Sequence, residues 1–349
     1  MISEFNNKRL LVVGGAGFVG SNLVAHLLHE QPKEIIVVDN LLSSEGENIP
    51  RGSNVRCLIG SITDDKILNE LPADLNYIWH LACYHGNQSS IHDPLADYQN
   101  NALTSLRLFE HIKNFGGVKK VVYSSAGCCV AEKTFDTPTA TTEDAPVSLY
   151  HDSPYSISKI IGELYGNYYW KQHGMPIVKA RFQNVYGPRE ILGAGRWRGT
   201  VHTVWRNVTP TFIWKALSQE ALPVENDGVA TRDFIYVDDV VRGLIACASD
   251  GELGSVYNLA TGLETSIKDL AQLINEITQN PTADKSQPQR IWDSSGRRYA
   301  TVEKAQTELG FHAQVTLRDG VERTITWTRQ HRELIERCMQ RHERFMLAT

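Results

Sequence analysis

Long apolar runs, a surplus of one charge and paired cysteines are all missing from this sequence of 349 residues. No stretch approaches the roughly 18 consecutive apolar residues that a membrane-spanning helix needs, and the first residues show no signal-peptide pattern. The formal net charge is -5 without a long block of one sign, so we expect no association with nucleic acid or with a membrane. These absences predict a cytoplasmic protein.

The six cysteines are few and irregularly spaced. They form neither a Cys-x-x-Cys pair nor the pattern of a disulfide framework, which fits a reducing compartment. We expect no bound metal. The composition, with 42% apolar and 21% charged residues, is ordinary for a globular enzyme.

A glycine-rich loop lies between two apolar runs near the start of the chain. Residues 9–13 are typical of a buried strand, residues 14–20 (GGAGFVG) hold glycines three apart, and residues 21–28 follow a helical pattern. Such a loop brings backbone N–H groups and a helix N-terminus against a pyrophosphate. A second buried strand, residues 34–38, leads to Asp39. This order predicts a dinucleotide site in which Asp39 binds the adenosine ribose and favours NAD over NADP. A simple turn residue is the alternative for Asp39.

Tyr155 and Lys159 are four residues apart, so a helix would place both on one face. Ser153 and Pro154 predict that this helix begins just before Tyr155, and Gly174 predicts its end after about five turns. A nearby ammonium lowers the pKa of a phenol, which makes Tyr155 a candidate base. Surface pairs on ordinary helices share the same spacing.

Strand and helix patterns alternate through the first half of the chain. Such alternation predicts a parallel sheet with helices on both faces, and therefore an α/β fold with a doubly wound sheet of the Rossmann type. The other predicted elements are strands at 55–60, 77–81, 120–124, 177–182 and 255–258, helices at 94–115, 238–249 and 266–278, a surface loop at 281–288 and a helical tail at 317–345.

Seven ordered motifs resemble the extended short-chain dehydrogenase/reductase family, specifically its nucleotide-sugar epimerases and dehydratases. The resemblance covers nearly the whole chain. The motifs are residues 14–20, 39–41, 80–82, 181–188 and 231–234, together with Asn101 and the pair Tyr155 and Lys159.

The resemblance implies that Tyr155 takes a proton from a sugar hydroxyl while hydride passes to NAD, and that Lys159 orients the nicotinamide ribose. Hydride loss from a carbinol carbon requires loss of the hydroxyl proton, so this role agrees with the chemistry. The implied NAD-binding residues are Gly14, Gly17, Phe18, Val19, Gly20, Asp39, Asn40, Ser61, Ile62, Leu81, Ala82, Asn101, Tyr155 and Lys159. A structural role is the alternative for Asn101.

The same resemblance implies a set of substrate residues. Asn184 and Arg232 match positions that hold the diphosphate of a sugar nucleotide, and Arg297 or Arg298 matches a further phosphate contact. Arginine suits this role because its planar fork binds two oxygens at once. Each arginine could instead be structural.

One departure from the family pattern concerns the catalytic serine. An ungapped reading places Ala126 where the family carries a serine or threonine, and a shift of one residue places Ser125 there, which we prefer. The ungapped reading also puts Cys128 where dehydratases carry a glutamate and where a 3,5-epimerase subgroup carries a catalytic cysteine. A thiol near a cation can exchange a proton at neutral pH. The alternative for Cys128 is a small buried apolar residue.

Residues 189–214 are unusually rich in tryptophan and arginine. Aromatic rings and guanidinium groups suit stacking on a base or a sugar and binding of phosphate or carboxylate. We expect this segment to cover the substrate, with Arg198 among the substrate contacts. A subunit contact is the alternative.

These observations predict an NAD-dependent epimerase of a nucleotide-diphosphate sugar that works by transient oxidation at C4 of a UDP-hexose. No carboxylate stands directly after Ser125, which disfavours dehydration and decarboxylation. The alternatives are a 3- or 5-epimerase with Cys128 as acid and base, a 4,6-dehydratase, a reductase, and an inactive NAD-binding regulatory protein. We expect a homodimer through the Tyr155 helix, as the family suggests.

The resemblance also divides the chain. The predicted NAD-binding domain comprises residues 1–188 and 233–262. The predicted smaller C-terminal substrate-binding lobe comprises residues 189–232 and 263–349.

Overall fold

A parallel β-sheet organises the computed structural model, which describes residues 3–131, 134–290 and 296–347. The strands in these ranges are β1 (Arg9–Val13), β2 (Glu34–Asp39), β3 (Val55–Ile59), β4 (Tyr77–His80), β5 (Lys120–Ala126), β6 (Ile177–Phe182), β7 (Asn184–Tyr186), β8 (Pro223–Glu225), β9 (Thr231–Arg232), β10 (Phe234–Tyr236), β11 (Val256–Leu259), β12 (Thr265–Ser266) and β13 (Lys285–Gln287). The α-helices are α1 (Phe18–Leu28), α2 (Asp65–Asn69), α3 (Asn87–His92), α4 (Pro94–Asn100), α5 (Ala102–Ile112), α6 (Pro154–His173), α7 (Val208–Leu217), α8 (Val237–Ser249), α9 (Ile267–Thr278), α10 (Glu303–Leu309), α11 (Leu317–Gln330), α12 (Arg332–Gln340) and α13 (Glu343–Met346).

Seven strands form the main sheet in the order β11-β6-β5-β4-β1-β2-β3, and each neighbouring pair is parallel. Strands β1 and β2 are buried on both faces, as expected where helices cover both faces of a sheet. In β1, Leu10 and Val12 pack into one apolar cluster and Leu11 and Val13 into another. The predicted doubly wound sheet is therefore confirmed.

A smaller lobe beside the main sheet and its covering helices has its own apolar core. Helices α7, α9 and α11 contribute to that core beside β7 and β10. Two short pairs, β9 with β12 and β8 with β13, complete the lobe. The chain returns to the main sheet in between, where β11 pairs with β6.

The helix that carries Tyr155 has the predicted ends. The Ser153 hydroxyl accepts a hydrogen bond from the Ser156 amide at 3.4 Å, and Pro154 is the first helical residue. Gly174 ends the helix in the left-handed conformation with φ of 65°, which glycine adopts without steric cost.

Several other elements differ from prediction. The single helix predicted at 94–115 is two helices, because Asn101 has non-helical φ of -121° and ψ of -72°. Strand β5 runs to Ala126, two residues beyond its predicted end. The predicted surface loop at 281–288 contains β13, which pairs with β8. None of the helices in the described ranges is long and apolar enough to cross a membrane.

Candidate active site

The carboxyl ends of the central strands open onto a cavity of about 770 Å³. In open parallel sheets this edge is where ligands bind. The glycine loop after β1, the end of β5 and the first turn of α6 line one side of the cavity, and residues of the smaller lobe line the other. Most of the residues predicted from the sequence meet here.

The loop between β1 and α1 fits a dinucleotide diphosphate. Gly14 has φ of +87°, and a side chain on it would place a Cβ atom 2.5 Å from the Ala82 backbone nitrogen. A Cβ atom on Gly20 would collide with the Gly14 carbonyl oxygen. Gly17 precedes α1 and provides no side-chain cap, so the first N–H groups of the helix remain available to an anion.

Asp39 lies at the end of β2 and also lines the cavity. One of its oxygens accepts from the Ala16 amide at 3.0 Å, and the other accepts from the Leu41 amide at 2.9 Å and the Ser44 hydroxyl at 2.8 Å. These hydrogen bonds stabilise the loops around Asp39, which is the structural role expected of a turn residue. Because a carboxylate has about four acceptor positions, Asp39 keeps capacity for a ribose hydroxyl.

Tyr155 and Lys159 lie side by side on the cavity face of α6. The Lys159 ammonium donates to the Ser124 carbonyl oxygen at 2.9 Å and lies 5.9 Å from the centre of the Tyr155 ring. Both side chains are buried. The backbone nitrogen of Tyr155 donates to the Ser90 hydroxyl at 3.1 Å, which ties the first turn of α6 to α3.

The pKa of Tyr155 differs from the sequence-based expectation. Burial raises the pKa of this phenol well above its ordinary value, and the neighbouring thiols of Cys83 and Cys128 add to the effect. The pKa therefore lies above, and not below, its ordinary value in the protein alone, because loss of solvent disfavours the phenolate.

Ser125 and Ala126 both line the cavity. The Ser125 hydroxyl is buried and has no hydrogen-bond partner among the described residues. The preceding hydroxyl, that of Ser124, is occupied because it donates to the His80 carbonyl oxygen at 3.0 Å. Ser125 is thus the hydroxyl at this strand end that is available to a ligand, and its catalytic role stays a prediction.

Cys128 lies just after β5, is partly buried and lines the cavity. Its sulfur lies 3.9 Å from the Ser156 hydroxyl oxygen. The adjacent Cys129 is buried instead, and burial raises the pKa of its thiol. Access to the cavity keeps a chemical role open for Cys128.

The arginines of the smaller lobe correct one prediction. The guanidinium of Arg297 is bonded to both carboxylate oxygens of Glu264, at 2.8 and 3.0 Å, and Arg297 does not line the cavity. Arg298 lines the cavity, and its buried Nη1 has no partner among the described residues. Arg232 also lines the cavity, with Nη1 bonded to the carbonyl oxygens of Thr231 and Gly296 at 2.7 and 2.6 Å.

Asn101 lies outside the cavity lining, which favours the structural alternative over contact with NAD. Its side-chain oxygen accepts from the Tyr84 amide at 2.7 Å, and its amide donates to Asp97 at 2.6 Å. These bonds occupy the side chain and hold the loop after β4. The neighbouring Asn100 faces the cavity instead.

Residues 189–214 lie against two other parts of the same chain. The Arg196 amide donates to the Leu42 carbonyl oxygen at 3.0 Å, which places the segment over the loop after Asp39. The Trp197 ring stacks on Phe345 with ring centres 5.2 Å apart, so Trp197 packs against the C-terminal helices rather than lining the cavity. Arg198 does line it.

All other predicted site residues border the cavity. They are Gly14, Gly17, Phe18, Val19, Gly20, Asp39, Asn40, Ser61, Ile62, Leu81, Ala82, Ser125, Cys128, Tyr155, Lys159, Asn184, Arg198 and Arg232. The sequence interpretation missed His85 and Glu190. His85 and Glu190 follow motifs 80–82 and 181–188 closely in sequence, and this proximity could have indicated that they lie at the site.

Glu190 is a buried acid in the cavity wall. Burial raises the pKa of its carboxyl to about 7, against the opposing effects of the Asn207 hydrogen bond and the Arg206 charge. One carboxyl oxygen has no partner within the described part of the chain.

The parallel sheet, the glycine loop at its edge and the Tyr155 and Lys159 pair are the features of the extended short-chain dehydrogenases/reductases. Residues 10–260 match the model of the NAD dependent epimerase/dehydratase family. The chain belongs to this family.

Several relatives cover nearly the whole chain. The enzyme WbmF of Bordetella bronchiseptica, crystallised in complex with NAD+ and UDP, is 56% identical, with 99% of each chain covered and a TM-score of 0.89. UDP-glucose 4-epimerase of Mycolicibacterium smegmatis is 31% identical over 92% of this chain and 98% of its own. UDP-glucuronic acid decarboxylase 3 of Arabidopsis thaliana is 28% identical over 90% of this chain and 87% of its own. The relatives thus catalyse more than one reaction.

Proposed function

We propose that this protein is an NAD-dependent nucleotide-sugar epimerase that acts at C4 of a UDP-hexose. The observation that carries the proposal is the meeting of Ser125, Tyr155 and Lys159 in one cavity with the glycine loop and with Arg298. Epimerisation is the reaction favoured because no carboxylate follows Ser125 at the end of β5.

Residues on the sheet side of the cavity suit NAD. The turn at Gly14 and the uncapped start of α1 suit its diphosphate, and Asp39 suits the adenosine ribose while repelling a 2′-phosphate. The chemistry that NAD supplies when bound is reversible acceptance of a hydride. The relative WbmF, crystallised with this dinucleotide, supports the assignment.

The proton chemistry belongs to the protein's own side chains. In our proposal Tyr155 accepts the proton of the C4 hydroxyl, and the Ser125 hydroxyl orients that oxygen. The positive charge of Lys159 stabilises the developing phenolate, which burial alone disfavours. Return of the proton from Tyr155 completes the cycle.

Residues of the smaller lobe suit the substrate diphosphate. Arg232 and Arg298 present two guanidinium groups to the cavity, and Asn184 adds an amide. The UDP bound to WbmF supports a uridine nucleotide. In this proposal the segment at 189–214 closes the cavity over both ligands and keeps water from a keto sugar.

Incubation of the purified protein with sugar nucleotides tests the proposal. We expect UDP-hexose to give an isomer of unchanged mass, without solvent deuterium at carbon, because the hydride returns to the carbon that lost it. Loss of water or of carbon dioxide would contradict the proposal, as would no turnover of any sugar nucleotide.

Cys128 defines the second candidate, epimerisation at C3 or C5. This candidate is favoured by the access of the Cys128 thiol to the cavity beside Tyr155. Proton abstraction at these carbons exchanges the hydrogen with solvent, so deuterium incorporation that Cys128→Ala abolishes would support it over the C4 route.

We also propose a homodimer through α6. Ile157, Leu164 and Tyr168 are exposed apolar residues that share one face of this helix. Leu95 and Tyr98 on the contacting helix α4 are exposed too. Exposed apolar residues grouped on two contacting helices are typical of a protein interface.

A further inference from the structure

Arg198 is a buried cation at the cavity without a partner of opposite charge in the described ranges. Its side chain is 5% exposed, and its Nη1 donates to the His85 carbonyl oxygen at 2.8 Å. Within the described residues its Nε is buried without a hydrogen-bond partner, and the neighbouring groups that favour its charge are the Tyr84 phenol and the Cys83 thiol rather than a carboxylate. A buried charge is unfavourable unless it is paired, so a partner from a ligand is expected.

The position of Arg198 is close to the reacting end of the cavity. The His85 ring, whose backbone oxygen binds Arg198, lies 5.9 Å from the Tyr155 ring between ring centres. Burial lowers the pKa of His85 to about 3, and the charges of Arg198, Arg206 and Lys159 add to this effect. The imidazole therefore stays neutral among three cations, which leaves a positive potential beside Tyr155.

Other arginines that line the cavity have partners of their own. Arg189 donates to the Asn48 carbonyl oxygen at 2.8 Å, and Arg290 is paired with Glu225. Arg206 uses its guanidinium for the carbonyl oxygens of Ser43, Ala194 and Thr203. Arg232 and Arg298 line the cavity where the diphosphate is proposed to bind. Arg198 differs because it binds the His85 carbonyl oxygen and the His85 ring lies beside Tyr155, which places its charge toward the sugar.

We infer that the sugar carries a carboxylate at C6, which makes the substrate a nucleoside-diphosphate uronic acid. The inference rests on the proposed function, because reaction at C4 fixes where the ring meets Tyr155. C6 is attached to C5, the ring atom next to C4, so a carboxylate on it lies close to the reacting carbon. The Arg198 guanidinium can bind its two oxygens, whereas a neutral hydroxymethyl group would leave the charge unpaired.

Equilibrium binding to the NAD-saturated protein tests this inference, with UDP, UDP-glucose and UDP-glucuronate as probes. We expect the unaltered protein to bind UDP-glucuronate about tenfold more tightly than UDP-glucose, since a hydrogen-bonded charge pair contributes at least this much. In Arg198→Gln the preference falls below about twofold and the affinity for UDP stays within about twofold. Arg198→Lys retains part of the preference, because it keeps the charge.

Arg298→Gln is the matched control, since it is expected to weaken binding of all three probes alike. Equal affinities of the unaltered protein for UDP-glucose and UDP-glucuronate would overturn the inference. This comparison uses the unaltered protein alone, so it does not depend on whether a variant folds. A loss of UDP affinity in Arg198→Gln equal to the loss for UDP-glucuronate would assign Arg198 to the diphosphate and also overturn it. Because binding needs no turnover, a failure of C4 epimerisation would be recognised separately.

Discussion

The Lys159 ammonium lies 5.9 Å from the centre of the Tyr155 ring and donates to the Ser124 carbonyl oxygen. This hydrogen bond holds the Lys159 ammonium between the end of β5 and the Tyr155 phenol. The arrangement makes Lys159 the charge that can stabilise a Tyr155 phenolate inside a buried site.

Tyr155→Phe tests the proposed base. The variant keeps the ring and its packing but removes the oxygen that accepts the proton. We expect kcat to fall by about a thousandfold, within the usual range for general acid–base catalysis, while the affinity for UDP changes by less than about twofold. Steady-state kinetics and calorimetry measure the two effects, and retained turnover would refute the role of Tyr155.

Ser125 and Ser124 offer a matched pair of variants. Ser125→Ala removes a hydroxyl without a protein partner, so we expect kcat to fall about a hundredfold with little change in stability. Ser124→Ala removes a hydrogen bond to the His80 carbonyl oxygen and should cost about 1 kcal/mol of unfolding free energy with activity retained. The reverse pattern in kinetics and denaturation would show that the catalytic hydroxyl is misassigned.

Arg297 and Arg298 are adjacent and have different surroundings. Arg298→Gln should weaken UDP binding at least tenfold, because it removes a charged donor that faces the cavity. Arg297→Gln should leave UDP binding nearly unchanged, since the Arg297 guanidinium is bonded to Glu264. Calorimetric titration with UDP distinguishes them, and equal losses in both variants would contradict the structural difference.

The sheet and helix α6 were predictable because their signals are local. Apolar runs define β1 and β2, and Ser153, Pro154 and Gly174 define the ends of α6. Apolar runs and helix-capping residues act on the backbone of their own segment, so residues adjacent in sequence are enough to recognise them.

The errors concern tertiary partners. Arg297 and Arg298 are indistinguishable in sequence, and only the position of Glu264 decides which one faces the cavity. Asn101 fits a helix pattern, but its bond to the Tyr84 amide stabilises a break there. Likewise, the pKa of Tyr155 depends on burial, which spacing from Lys159 does not report.

Leu164→Glu tests the proposed dimer. Leu164 is 59% exposed on the apolar face of α6, and a carboxylate at the centre of an interface would be buried without a partner. We expect light scattering to show a change from dimer to monomer. Leu263→Glu is the control, because Leu263 is also well exposed, at 67%, but lies in the smaller lobe. A dimer that survives Leu164→Glu would exclude this face.

Glu190 predicts a specific pH dependence of stability. Burial raises the pKa of its carboxyl from 4.5 to about 7 in the folded protein. Below the lower value both states are protonated, so the group has no effect. Between the two values the unfolded chain ionises while the folded chain does not, and stability falls by an amount on the order of 3 kcal/mol. Above about pH 7 the loss is constant.

Glu190→Gln removes this titration and keeps an oxygen for the Asn207 amide. We therefore expect the variant to gain stability relative to the unaltered protein as the pH rises from 4 to 8, as measured by denaturant unfolding at several pH values. Glu47→Gln is the control, because it makes the same substitution at an exposed acid, which is paired with Arg337. A difference between Glu190→Gln and the unaltered protein that is independent of pH would mean that Glu190 ionises normally in the fold, so its burial would not control its charge.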